Sequence, residues 1–409
     1  MIYVGIDWSE EHHDVAVMTE AGELLVERRV EDTMASVSLM HALFAEHTAS
    51  PVDVIIGVET VHNLVVRALV AAGYSVYEVN PLASSRYRDR HHLSGAKSDK
   101  GDAKLLADLV RTDRHNHRIY AGSSSLSQAI KLLARAHQNL ILARQDHLNE
   151  MRSALRQFYP AALAAFPNLC SPSDRDCPDA MGFLECAPTP SQGKVLTRLR
   201  IRRVLAKAGR QRNLDKRAAA IEQVLRDSHL GVPDVLSKAY GVTVRALAQV
   251  VTALTCQIAE LEQELARHFE QHPDAKIIRS LPGLGPVLAA RALGEFGDEP
   301  NRFSDPKARK NYATTSPVTR ASGKVRIVSV RHGGNRRLGQ VCIRWAYSAL
   351  TASTGARRYY DDLRSRNKTH AQATRAVANR LVGILHGCLA KRQLYSEEIA
   401  WPTVLKEAA

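Results

Sequence analysis

The sequence predicts an α/β domain at the N-terminus followed by a mainly α remainder. Three observations predict it. Short β-branched runs alternate with helix-like stretches through the N-terminal quarter. Apolar residues then recur at steps of three and four through a long middle region, the spacing of one helix face. The last third carries helix-like stretches around glycine-containing turns. These shifts set domain boundaries of 1–118, 119–272 and 273–409, in keeping with what 409 residues can fold. With 45% hydrophobic and 24% charged residues, the composition supports packed cores and excludes wholesale disorder.

Residues 2–7 (I-Y-V-G-I-D) read as a buried strand ending on Asp7. Residues 13–18 read as a second strand and 23–30, after a turn at Gly22, as a third. Residues 33–45 read as helix, and 52–59 as a strand that again ends on an acid, Glu59. Helix follows over 63–72 and strand over 74–79, closed by Asn80-Pro81. Three antiparallel-looking strands and then helix–strand alternation predict one α/β sheet. Asp7 and Glu59 are out of place in a core, because a buried carboxylate without a partner is costly. They lie side by side if their strands are neighbours.

The next segment, 80–98, reads as loose and basic, with Arg86, Arg88, Arg90, His91, His92 and Lys97. Asp99 and Asp102 follow, three residues apart, ahead of the apolar run Ala103, Leu105, Leu106, Leu109 and Val110. On a helix such acids share a face. An Asp at a helix start can simply cap it. The pair can also offer oxygen ligands to a divalent cation. Joined to Asp7 and Glu59, it would complete a cluster of four carboxylates, stable only with shared protons or bound hard cations. Mg2+ suits an all-oxygen site, and two such ions can clamp the attacking and leaving oxygens of a phosphodiester.

Taken together, G-I-D-W-S at 5–9, G-V-E-T at 57–60 and K-S-D-K-G-D-A at 97–103 resemble the RuvC-like, ribonuclease-H-fold domain of DEDD-type transposases, the insertion-sequence 110 family. The resemblance implies that Asp7, Glu59, Asp99 and Asp102 are catalytic and hold Mg2+ (or Mn2+).

Charge points to a polyanionic partner. The chain has 56 Lys and Arg against 42 Asp and Glu, a net +14, and the excess is clustered. One cluster is Arg86, Arg88 and Arg90, beside the acid motif. A second runs over 198–217 and includes Arg202, Arg203 and Arg210. A third, over 301–340, has ten Lys and Arg, among them Arg320, Lys324, Arg326, Arg331, Arg336 and Arg337, and one acid, Asp305. Stretch 167–192, rich in Pro, Ser and Asp, reads as loop. Two segments carry a seven-residue rhythm: 126–155, and Leu247, Val251, Leu254, Ile258, Leu261 and Leu265. They can pair with each other, pair between subunits, or line an ordinary bundle core. In the resembled family a coiled coil joins the two catalytic regions and mediates assembly, which implies a homodimer that assembles to a tetramer.

The C-terminal region opens with L-P-G-L-G at 281–285. Between two helix-like stretches this resembles a helix-hairpin-helix, with Gly283 and Gly285 letting helix-start amides meet a phosphate. A plain helical turn is the other reading. S-P-V-T-R-A-S-G-K at 316–324, then a strand over 325–330 and G-G-N at 333–335, resembles the second signature of the same family. There a serine joins covalently to DNA, which implies Ser322 as nucleophile, with Ser316 as the alternative. Arg320, Lys324 and Arg326 are near enough in sequence to supply charge. Helices are expected over 338–352 and 372–394, with Tyr359 and Tyr360 between them to pack or to stack on a base.

The resemblance implies a transposase that recombines donor and target DNA through a serine-linked intermediate, guided by a structured RNA from its element. A Holliday-junction resolvase or hydrolytic nuclease would need the acids and water but not Ser322. A non-catalytic scaffold would need only the basic clusters. The six cysteines form no C-x-x-C pair or zinc spacing, and the N-terminus opens on a strand and not a leader, so a cytoplasmic protein is expected. No apolar stretch is expected to approach bilayer-spanning length, hence no membrane partner.

Overall fold

The computed structural model describes residues 1–61, 63–91, 98–120, 122–299 and 302–402, without the side chains of residues 91 and 118. Two compact units divide the chain, Met1–Ser123 and Ser124–Ala409.

The first unit is built on one sheet of strands β1 (Ile2–Trp8), β2 (His12–Met18), β3 (Leu24–Glu31), β4 (Val54–Val58), β5 (Ser75–Glu78) and β6 (Arg118–Ile119). Their order is β3-β2-β1-β4-β5-β6. β1 to β3 are antiparallel, β4 and β5 run parallel to β1, and β6 returns antiparallel to β5. The helices are α1 (Met34–Ala45), α2 (Leu64–Ala71), α3 (Pro81–His91) and α4 (Asp99–Asp113). Strand alternation splits the core between two faces. Ile2, Val4 and Ile6 join Met40, Phe44, Val65 and Leu69. Tyr3 and Ile55 face the other way, onto Leu105, Leu106, Leu109 and Val110 of α4.

Two glycines set how closely α4 approaches the sheet. A Cβ on Gly5 would stand 1.9 Å from the Ala103 carbonyl oxygen, and one on Gly57 would stand 2.7 Å from that of Leu106. The helix therefore lies directly on the backbone of β1 and β4.

Segment 80–98 differs from the expectation of a loose strand-to-helix link, because residues 81–91 form α3. Pro81 occupies the first helical position, and Asn80 Oδ1 accepts a hydrogen bond from the Leu82 amide at 2.8 Å. Ser84 is the one buried residue among those whose side chains are described in α3, so no apolar stripe announces the helix. His92 and Lys97 fall outside the described residues.

The second unit is mainly helical. Its helices are α5 (Ser125–Phe158), α6 (Pro160–Ala165), α7 (Asp176–Cys186), α8 (Pro190–Lys194), α9 (Arg198–Lys207), α10 (Leu214–Arg226) and α11 (Asp234–Glu270), then α12 (Ala275–Arg279), α13 (Pro286–Phe296) and α14 (Pro306–Tyr312). After the hairpin β7 (Val318–Ser322) and β8 (Val325–Ser329) come α15 (Arg336–Ala352), α16 (Thr354–Ser365), α17 (His370–Lys391) and α18 (Glu397–Ala400). α7 and α8 occupy much of the stretch read as loop.

α5 and α11 pair antiparallel within the chain: Phe158 stacks on Tyr240 at 4.9 Å between centroids, and Arg144 donates to Thr255 at 3.3 Å. Leu247, Val251, Ile258 and Leu265 of the heptad seam are buried. One core gathers α6 to α10 on part of this pair, around Phe158, Phe166, Phe183 and Leu205. The other gathers α12 to α18, around Phe269, Trp345, Leu381 and Trp401. The expectation about apolar length needs correction: α11 is long and apolar enough to cross a bilayer by length and composition alone.

Candidate active site

In the parallel register of β1 and β4, Gly5 stands beside Gly57 and Ile6 beside Val58. The next residues, Asp7 and Glu59, therefore come side by side at the C-terminal ends of these strands. Open α/β sheets bind ligands at that edge. Alternation puts Asp7 on the face of Gly5 and Glu59 on the face of Gly57, the α4 side. Because α4 sits directly on those glycines, its first turn brings Asp99 and Asp102 to the same place. Ser98, not an aspartate, caps the helix, its Oγ accepting from the Gly101 amide at 3.2 Å. The four acids line one cavity of about 380 Å3 with His12, Asp14 and Arg88.

His12 and Asp14 are absent from the sequence-predicted set. Asp14 is the register partner of Asp7 across the β1–β2 pair. His12, Asp14 and Asp99 offer ligand atoms that lie within 4.8 Å of one another. The signal that could have found Asp14 is the short β1–β2 turn, which brings the two acids opposite each other.

Five carboxylates thus share this edge with few cations. Arg29 donates to both Asp14 oxygens, at 3.1 and 2.8 Å, and reaches Asp99 at 3.3 Å. Arg88 donates to Asp102 at 2.5 Å. Ser84 donates to Glu59. Asp7 has no hydrogen-bond partner among the described residues. Burial pushes its pKa up to about 6, and the charges of Asp102, Glu59, Asp99 and Asp14 add to the shift. Negative charge in excess of its arginine partners, carried on hard oxygen donors, fits a divalent cation of the Mg2+ class. Arg88 faces into this site, while Arg86 and Arg90 are exposed on α3.

In the second unit, Ser322 ends β7 opposite Val325, exposed, next to a two-residue turn in which Gly323 has φ 54°. Its hydroxyl makes no hydrogen bond to a described residue. Arg320, Lys324 and Arg326 are exposed on the same hairpin. Ser316 is engaged: it donates to Asn311 at 2.5 Å and accepts from Arg331 at 3.2 Å. Arg336 is exposed at the start of α15, and Arg337 reaches Asn139 at 3.0 Å.

Arg202 and Arg203 are exposed on α9, the first paired with Asp215 at 3.0 Å. Two residues expected at nucleic acid are instead turned to the protein. Arg210 donates to fully buried Asp179 at 2.5 Å, since that carboxylate needs a cation. Gly283, at φ 78°, abuts α15, where a Cβ would stand 2.6 Å from the Ala349 amide nitrogen. Gly285 has open space around it and caps α13.

A DEDD-type transposase family model of the IS110 class matches residues 4–160, which contain all five acids. A model described as transposase IS116/IS110/IS902 family matches 275–361, which contain Ser322. The candidate mini-circle transposase for IS117 of Streptomyces coelicolor is 40% identical over 411 residues, covering 100% of this chain and 98% of that relative. An uncharacterized 44.8 kDa protein of insertion element IS116 from Streptomyces clavuligerus is 28% identical over 406 residues, 97% of this chain and 96% of its own length. An uncharacterized 42 kDa protein of insertion element IS900 from Mycobacterium paratuberculosis is 25% identical over 402 residues, 96% of this chain and 97% of its own length.

Proposed function

Since the chain belongs to the insertion-sequence 110 family of transposases, we propose that it recombines DNA by transesterification through Ser322, with its acid cluster as the metal site and a structured RNA from its element as guide. The observation that carries this reading is the convergence of Asp7, Glu59, Asp99 and Asp102 on one cavity at the ends of β1 and β4. Those four residues would hold Mg2+ (or Mn2+), which supplies Lewis-acid stabilisation of charge on phosphate oxygens. Arg29 and Arg88 position Asp14, Asp99 and Asp102 and limit repulsion within the cluster.

Ser322 Oγ forms a bond to phosphorus as its proton is lost, and the strand oxygen departs as a hydroxyl. A hydroxyl of the exchanging strand then attacks the serine-linked phosphorus and releases Ser322. Each step makes one phosphoester bond for each it breaks. Exposure of Ser322 leaves it accessible to a duplex, and Arg320, Lys324 and Arg326 offer charge to the phosphate. Donor and target DNA are the substrates, and a homodimer assembling to a tetramer in the cytoplasm is the working form. On this reading the apolar length of α11 serves its pairing with α5 and not a bilayer, in line with its buried seam.

The test is to incubate the protein with element-end DNA and Mg2+, with and without RNA transcribed from the element flank, and to resolve denatured products. Wild type should yield a covalent protein–DNA adduct, Ser322→Ala none, and Ser316→Ala should retain it. Full-rate cutting by Ser322→Ala without an adduct would establish the hydrolytic nuclease instead.

A further inference from the structure

A second, larger cavity, of about 780 Å3, lies among α5, α11, α13, α15 and α17, wholly within the second unit. Arg144, Arg291, Arg344 and Arg375 line it, and Glu262 is the one carboxylate among its lining residues. Three of its polar residues are almost fully buried: His137 is 2% exposed, Thr374 4% and Arg291 6%. Arg291 Nη2 lies 3.1 Å from His137 Nδ1. A guanidinium only donates, so Nδ1 accepts and a neutral ring carries its proton on Nε2. Burial, with Arg291 and Arg144 alongside, holds this imidazole down to about 4, in its neutral form near pH 7. His137 Nε2, Arg291 Nε, Arg144 Nε and buried Thr374 Oγ1 have no hydrogen-bond partner among the described residues.

A buried donor left without an acceptor loses its hydration with nothing in return, and an uncompensated buried charge loses more. Unmet donors of this kind, gathered from three helices at one cavity, describe a site for an anion. Arginine forks favour phosphate, which offers more acceptor oxygens than a carboxylate. Ile141, Val287, Leu288 and Ile343 give it an apolar wall, with the ring of Tyr347 beside it, and Ser348 and His370 complete the polar lining. The cavity is several times larger than a bare phosphate needs and falls in the range that holds a small organic ligand.

We propose that this cavity binds a nucleotide, its phosphate held by the arginines, the His137 Nε2–H and the Thr374 hydroxyl, and its base laid against the apolar wall. The nucleotide is either free or a unit turned out of a strand. Both present a base and an anionic phosphate, a monoester in the free nucleotide and a diester in the strand.

The experiment is isothermal titration of the full-length protein in EDTA with AMP, adenosine and inorganic phosphate, so that neither metal nor recombination enters the readout. AMP should bind, with adenosine and inorganic phosphate each at least tenfold weaker. Arg344→Ala/Arg375→Ala, on exposed and half-exposed positions, should lose at least tenfold in AMP affinity. Should that variant not fold, Thr374→Val should lose affinity several-fold. A single-stranded oligonucleotide that displaces AMP from wild type identifies the strand as source, while AMP binding indifferent to the oligonucleotide identifies a free nucleotide. Absence of AMP binding at millimolar concentration, adenosine or phosphate binding as tightly as AMP, or full affinity in the folded variant would overturn the proposal.

Discussion

Asp7 is where the acid cluster stores its repulsion. Its pKa rises from 3.8 to about 6 because burial and four neighbouring carboxylates oppose its charge. That shift corresponds to at most about 3 kcal/mol carried by the ionised residue, less where solvent screens it. An amide of the same shape removes the charge without opening a cavity. Asp7→Asn should therefore stabilise the metal-free protein by about 1–2 kcal/mol, read by thermal melting in EDTA. On the proposed metal-dependent mechanism the same substitution should lower DNA strand cleavage at least about a hundredfold, since Asp7 would be one of the ligands. A lower melting point would show that Asp7 is not held against repulsion. At this scale the sequence was informative where a motif tied an acid to a strand end or a helix start. Asp14 and His12 escaped because polar residues on a strand read as solvent-facing until the register with β1 is known. Arg210 misled for a related reason: its partner, Asp179, is far away in sequence and reaches it only through the packing of α7 beside α9 and α10.

The seating of α4 on β1 and β4 determines whether the acids meet at all. A Cβ at Gly5 would strike backbone atoms of Ala103 and Ala107, at 1.9 and 2.5 Å. Backbone within a helix cannot swing aside as a side-chain tip can. Gly5→Ala should cost about 2–4 kcal/mol and weaken Mg2+ binding by displacing Asp99 and Asp102. Gly285→Ala is the control: with φ −67° and open space around it, it should change stability by less than about 0.5 kcal/mol. Denaturation midpoints and calorimetric Mg2+ titration separate the two, and a Gly5→Ala protein with wild-type values would contradict the direct seating of helix on sheet. Most elements of the first unit were legible because β-branched runs and 3.6-residue periodicity are local signals. α3 was not, since its residues lack an apolar stripe. The heptad seam of α11 named a face to be buried but not its partner, because Leu, Val and Ile at those steps suit any apolar helix. Only the structure selects α5 of the same chain.

Across the whole molecule the net +14 falls into two kinds of cation. Some face solvent, as Arg202, Arg203, Arg320, Lys324 and Arg326 do. Others serve the fold: Arg210 neutralises Asp179, and Arg309 packs on Phe296 and Phe303 at 5.0 and 4.6 Å. Sequence counts treat both kinds alike, so the basic run over 198–217 was legible as charge but not as surface. Salt tells them apart. Each phosphate neutralised by an outward cation releases counterions, so the slope of log affinity against log salt reports how many phosphates the protein neutralises. Replacing Arg202 and Arg203 with Gln should reduce that slope by about 1 for each phosphate left without its arginine, measured by titrating a labelled duplex at rising NaCl, and leave the melting point near that of wild type. The same slope change is expected for Arg320→Gln and Arg326→Gln. Arg210→Gln should do the reverse, since it removes the hydrogen-bonded cation of buried Asp179 and leaves it Arg175 at 3.5 Å: it should lose about 2–3 kcal/mol of stability with the slope unchanged. An Arg210→Gln protein of normal stability and reduced slope would move that residue from the fold to the nucleic-acid surface, and the division of the charge would have to be redrawn around it.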